Sequence, residues 1–234
     1  FGKRCAQLAH ALERLGVRPG DRVASFAWNT HRHLELYYAV PSYGAVLHTA
    51  NIRLFADQVA YVIEHADDKV IFVDASLVPA VKKAIEVCPS LAQRTYVVMG
   101  EGGEVLPNAY DYEQLLAAEQ TVYAWPILDE RDAAMLCYTS ATTGEPKAAL
   151  FSHRSTYIHA LAINHADYFS LSRRDVVLPV VPMFHVNAWG IPFAAVMGGS
   201  KIVMPGSRLD PASLIELLEG CLLYTSDAAD DLTR

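Results

Sequence analysis

The chain has 234 residues, enough for one large domain or two small ones. Hydrophobic residues make up 52% and charged residues 19%, which excludes a disordered chain; a net charge of −7 with no Lys/Arg-rich run excludes broad nucleic-acid binding. No apolar run approaches the ~18 residues of a membrane span, no signal peptide is visible, and Cys5, Cys88, Cys137 and Cys221 form no C-x-x-C pair, so they read as reduced thiols of a cytoplasmic protein.

In chain order, Phe1-Gly2-Lys3-Arg4 opens directly into a helix-like pattern without an initial Met, as expected of a piece of a longer protein. The turn Arg18-Pro19-Gly20-Asp21 precedes a short apolar strand over 22–28. The apolar segment from Leu34 to Tyr43 predicts a buried helix ending near Gly44. Val59, Val62, Ile63 and Ala66 fall at i, i+3, i+4 and i+7, the mark of an amphipathic helix. Asp67-Asp68 reads as a solvated turn before a β-branched strand over 70–73. A helix through Val81, Ala84, Ile85 and Cys88, a strand over 96–99 and a glycine-rich exposed loop from Gly100 to Pro107 follow. Asp129-Glu130-Arg131-Asp132 reads as an exposed charged linker, and 133–137, 176–181 and 202–204 as further strands with helices between them. Gly198-Gly199 is expected to allow close helix–strand packing. Asp210 at a cap and Pro211 at the first position start a helix carrying Leu214, Leu217 and Leu218. Beyond Gly220 the apolar period stops and the string looks like adapter translation, so 221–234 is expected to be a non-native tail that adds nothing to stability. Apolar strands separated by helices imply an α/β fold with a mostly parallel sheet covered on both faces.

The chemistry concentrates in Tyr138-Thr139-Ser140-Ala141-Thr142-Thr143-Gly144-Glu145-Pro146-Lys147, a hydroxyl-rich turn fed by a strand. Backbone N–H groups and hydroxyls converging there suit phosphate oxygens, and the lysine adds a positive charge. The spacing is not that of G-x-x-x-x-G-K-[ST], which disfavours an ordinary P-loop kinase. His153, His159 and His165 are six apart, which does not set them on one helical face as metal ligands. Trp189 taken alone suits core packing.

This turn resembles the phosphate-binding signature of the AMP-forming adenylating enzymes, which include acyl-CoA synthetases, luciferases and peptide-synthetase adenylation domains. The segment 44–54, with His48, Thr49, Asn51 and Arg53, is similar to the fatty acyl-CoA synthetase branch. Pro182-Met183-Phe184-His185-Val186-Asn187-Ala188-Trp189-Gly190 and 208–214 also resemble that branch. The resemblance implies part of the large N-terminal domain over 1–220, with the C-terminal domain absent. It implies that a carboxylic acid and ATP form an acyl-adenylate whose acyl group passes to coenzyme A. Ligases for aryl or short-chain acids, luciferase-like enzymes and, from another class, a non-catalytic nucleotide-binding module remain open alternatives. By resemblance, Thr139, Ser140, Ala141, Thr142, Thr143, Gly144 and Lys147 cradle the ATP phosphates. Thr139 would also ligate Mg²⁺, and Lys147 is the catalytic candidate. His185, Asn187 and Trp189 would line the acyl pocket, Trp189 as its gate. Ala141 and Ala148 stand where the family usually has glycine, which puts ATP affinity in question. No counterpart of the later Tyr-Gly-x-Thr-Glu motif, the ribose-binding Asp or the C-terminal lysine is found, so the chain alone is expected to be inactive. The expected partners are small molecules (fatty acid, ATP and CoA), with no nucleic acid and no transmembrane segment; a homodimer is left open.

Overall fold

The computed structural model describes residues 1–102, 105–139 and 145–230, with side chains to residue 220. Helix α1 (Gly2–Arg14) turns Cys5, Leu8, Ala9 and Leu12 inward, and strand β1 (Arg22–Phe26) follows. In α2 (His31–Tyr43) the Thr30 hydroxyl accepts the His33 N–H as an N-cap, and Gly44 caps the far end, as the sequence predicts. The chain continues through β2 (Val46–Thr49), α3 (Ala56–Ala66), β3 (Val70–Asp74), α4 (Val78–Val87), β4 (Thr95–Met99), β5 (Ala109–Asp111) and α5 (Tyr112–Ala117). After the exposed linker come β6 (Ala133–Tyr138), β7 (Ala148–Ser152) and α6 (His153–Ile163). The described part ends with β8 (Val176–Val177), α7 (Ile191–Gly198), β9 (Lys201–Ile202) and α8 (Pro211–Asp230).

Seven strands form one sheet in the order β5-β4-β3-β1-β2-β6-β7, parallel throughout except for β7, which pairs antiparallel with β6. One face is covered by α1, α2 and α5 through residues such as Leu8, Leu36, Tyr37 and Tyr112; the other by α3 and α4 through Val59, Ile63 and Val81. The connection leaving β1 passes to one face, while those leaving its neighbours β2 and β3 pass to the other. At such a switch point the carboxyl ends of adjacent strands open a crevice. A second, two-stranded parallel sheet pairs β8 with β9.

Three sequence expectations change. The strand over 176–181 shrinks to two residues, because Pro179 and Pro182 offer no N–H to a ladder. Asp67 lies at the surface in a left-handed conformation, but Asp68 is fully buried against His48 and is no solvated turn. Gly198 packs against Leu171 of a loop, not against a strand: a Cβ there would lie 2.5 Å from the Leu171 carbonyl oxygen. Gly198→Ala should therefore cost about 1–3 kcal/mol, read as a shift in urea midpoint, whereas Gly2→Ala, with open space around it, should not. Helix α8, which starts at Pro211 as the sequence predicts, extends to Asp230.

Candidate active site

The phosphate-loop candidates Ser140, Ala141, Thr142, Thr143 and Gly144 lie outside the described residues. Their two flanks are well defined. The Thr139 N–H donates to the Lys147 carbonyl at 2.9 Å, and the Lys147 N–H donates to the Thr139 hydroxyl at 3.3 Å. This bridge continues the β6–β7 ladder by one step, so the two residues stand side by side at the carboxyl end of β6, both exposed. A threonine and a lysine paired through their backbones at a strand end bring a hydroxyl and a cationic side chain to one place, a donor set that suits phosphate oxygens. The Thr139 oxygen also suits a hard cation such as Mg²⁺.

Behind this strand end lies a buried polar cluster. His48 Nδ1 donates to Asp68 Oδ2 at 2.7 Å, both side chains being fully buried, and burial pushes the Asp68 carboxyl above its ordinary range. The Tyr138 ring packs at a tilt against that of His48, 5.1 Å between centroids, and its hydroxyl meets His65 Nδ1 at 2.7 Å. Burial raises the Tyr138 phenol to about 12, so it stays protonated.

The second half of the site is built by an unusual backbone. Val186, Asn187, Ala188 and Trp189 have φ of 46°, 49°, 48° and 53°, and Gly190 follows at 73°. Five successive left-handed residues, four of them with a Cβ, cost about 1–2 kcal/mol each for the non-glycine members. Such a turn persists only where its surroundings over-determine it. Thr49, at the carboxyl end of β2, donates its hydroxyl to Asn187 Oδ1 at 3.0 Å. His159 of α6 donates Nε2–H to the Trp189 carbonyl at 3.0 Å, and its ring fills the space where a Cβ on residue 190 would lie. Glycine at 190 thus serves both the backbone angle and the close approach.

The approach to this turn is pinned from the switch point. Asn29, just beyond β1, donates its amide to the carbonyls of Pro179 and Val181 at 2.8 and 2.9 Å and accepts the Met183 N–H at 2.7 Å. The Tyr37 hydroxyl donates to the Met183 carbonyl at 2.5 Å. Beneath these contacts Ser25 donates to His33 Nε2 at 2.8 Å, and His33 Nδ1 donates to the Trp28 carbonyl at 3.0 Å. A carbonyl can only accept, which fixes the proton on Nδ1 and leaves Nε2 as the acceptor. Full burial lowers the His33 pKa to about 4.

Asn187 and Trp189 line a cavity of about 390 Å³ together with Phe151, Thr156, His159 and Phe193. Trp189 is 56% exposed, so it is a side chain at the mouth of a cavity, not core packing. His185 is half-buried in the turn after Pro182, not at a strand end, and is not among the residues lining this cavity. Since Thr49 is the register partner of Cys137, two residues before Thr139, the turn and the loop flanks occupy neighbouring strand ends. Sequence reasoning missed Asn29, Thr49, Tyr37, Phe151 and Phe193. A polar residue closing an apolar strand, as Asn29 and Thr49 both do, was the available signal.

Residues 1–222 match the family model described as AMP-binding enzyme. The chain is 49% identical over 219 residues to the long-chain-fatty-acid–CoA ligase of Thermus thermophilus, covering 93% of this chain and 39% of the relative. It is 47% identical over 219 residues to the medium-chain-fatty-acid–CoA ligase of Ectopseudomonas oleovorans, covering 92% and 40%. Its fold matches the solved structure of a Mycobacterium tuberculosis fatty acyl CoA synthetase with a TM-score of 0.71 and 26% identity over 86% of this chain and 37% of that one. The chain thus spans about two fifths of the length of the curated relatives it matches.

Proposed function

The chain belongs to the AMP-binding enzyme family, and from that premise we propose that its parent enzyme activates a fatty acid with ATP and transfers the acyl group to coenzyme A. A carboxylate oxygen of the acid attacks the α-phosphorus of ATP, releasing pyrophosphate and leaving an acyl-adenylate. The thiol of coenzyme A then displaces AMP from the acyl carbon. The observation that supports this reading is the apolar cavity under the left-handed turn, one strand away from the Thr139–Lys147 flanks.

In this reading Lys147 neutralises charge on the phosphates, and the Thr139 hydroxyl and loop donors orient them. Ser140, Ala141, Thr142, Thr143 and Gly144 supply further donors in the same proposal. Asn187 faces the reacting end of the cavity and Trp189 stands at its mouth, with His185 beside it. Mg²⁺, where bound, would supply charge neutralisation at the phosphates, with Thr139 as one holding residue.

ATP titrated calorimetrically into the chain tests the first half. Loss of a charge-assisted phosphate contact is worth about 1.5–3 kcal/mol, so Lys147→Ala should weaken ATP binding by about ten- to a hundred-fold. Unchanged affinity in the folded variant would remove Lys147 from the site.

A further inference from the structure

Two cavities, not one, adjoin the candidate acyl site. Beyond the cavity at Asn187 and Trp189 lies a second of about 370 Å³, between α2, α6 and α7, whose walls include Tyr37, Tyr38, Val196 and Met197. Phe193 and Thr156 line both, so they form the partition between them. The Phe193 ring is backed from α2 by Tyr37 at 5.5 Å and Tyr38 at 5.6 Å between ring centroids. The Tyr38 hydroxyl also donates to the Pro192 carbonyl at 3.1 Å, which fixes the first turn of α7 against α2. This ring is therefore held in place by packing on its far side. It is not a loosely hung side chain.

We infer that Phe193 is the end wall that sets the longest unbranched acyl chain the first cavity accepts, and that the second cavity is an extension closed off by its ring. The inference rests on the fatty-acid reading above and adds to it the residue that determines length. An acyl chain gains affinity with each methylene it buries, about fourfold per methylene at the usual transfer free energy. The gain stops where the chain meets a wall, because further methylenes remain in water. Thr156 alone cannot close the partition, since its side chain is short. Removing the Phe193 ring joins the cavities along the groove between α6 and α7.

The test is calorimetric titration of the chain with unbranched fatty acids from butanoic to hexadecanoic. The parent sequence should show affinity rising about fourfold per methylene to a plateau. Phe193→Ala should carry the rise on to longer acids, and Phe193→Trp should end it at shorter ones. Adding Met197→Trp to Phe193→Ala refills the second cavity from its rim and should restore the original plateau. If circular dichroism shows Phe193→Ala unfolded, Phe193→Leu is judged by the same criterion with a smaller displacement. A folded variant whose plateau does not move overturns the wall while leaving the fatty-acid reading intact. Length-independent binding, or no binding, by the parent sequence defeats the fatty-acid reading itself, and the wall with it.

Discussion

Arg4→Met should destabilise the fold by up to about 3–5 kcal/mol, the cost of leaving a buried carboxylate without its charged partner, Arg4 itself being 32% exposed. Arg4 donates Nε to Glu35 Oε1 at 2.6 Å and Nη2 to Glu35 Oε2 at 3.1 Å, and it reaches Glu113 Oε2 through Nη1 at 2.8 Å. The Glu35 side chain is only 2% exposed, and among the described residues its one other donor is the Tyr112 hydroxyl at 2.6 Å. Without the guanidinium a buried carboxylate would keep a single neutral donor. The same three contacts tie α1, α2 and α5 together, so the loss is felt across one whole face of the sheet. Arg4→Met combined with Glu35→Leu, made in a Tyr112→Phe background so that no buried hydroxyl loses its acceptor, should recover most of the loss, because an apolar cluster of similar volume needs no compensation. Urea midpoints at neutral pH, with unchanged transition slopes, read both. A double variant no more stable than the single one would show that packing, not charge, is at stake.

Acidification supplies the second large effect. His33 has its pKa lowered from 6.5 to about 4, by burial first, with the Trp28 carbonyl acting in the opposite direction. Between those values the unfolded chain binds a proton that the folded chain refuses, so stability rises with pH in this window and falls as pH drops. The 2.5-unit difference (6.5 minus 4) corresponds to about 3 kcal/mol, fully present above pH 6.5 and lost by about pH 4. Asp68, raised by burial, works with the opposite sign above its ordinary pKa of 3.8, while His31 and His153, both lowered by burial, work with the same sign as His33. The informative quantity is the difference from His33→Gln, whose amide can still donate to Trp28 and accept from Ser25. That variant should flatten the slope between about pH 4 and pH 6.5. An identical slope would place the proton uptake elsewhere.

The parallel core was legible because its strands are apolar on both faces and its helices carry a clear period, as over Val59, Val62, Ile63 and Ala66. Other elements left no such trace. Strand β2 contains His48 and Thr49, polar residues that mask an apolar run but find buried partners in Asp68 and Asn187. Strand β7 pairs as a hairpin across the phosphate-loop segment, and nothing in Ala148–Ser152 alternates strongly enough to announce it. Asp68 was misread because charge next to charge suggests solvent, and only the partner twenty residues earlier explains its burial. The phosphate-loop candidates and Trp189 were singled out through motif order, and residues 140–144 of that loop lie outside the described residues. Asn29, Thr49 and Phe193 needed the third dimension, since each acts on residues more than a hundred positions away or across a cavity wall.

The left-handed turn from Val186 to Gly190 also bears on the order in which the molecule assembles. By itself the turn is uphill, and its supports arrive from far along the chain: 138 residues between Thr49 and Asn187, 154 between Asn29 and Met183, 146 between Tyr37 and Met183. Contacts of such long sequence separation reward the chain only after loop closure has been met. The nucleus of folding is therefore expected in the β1–β2–β3 region with its helices, and substitutions in the turn should change unfolding rates and leave folding rates nearly untouched. Partly folded chains would then possess the sheet and the loop flanks without an acyl cavity, which closes as the final event.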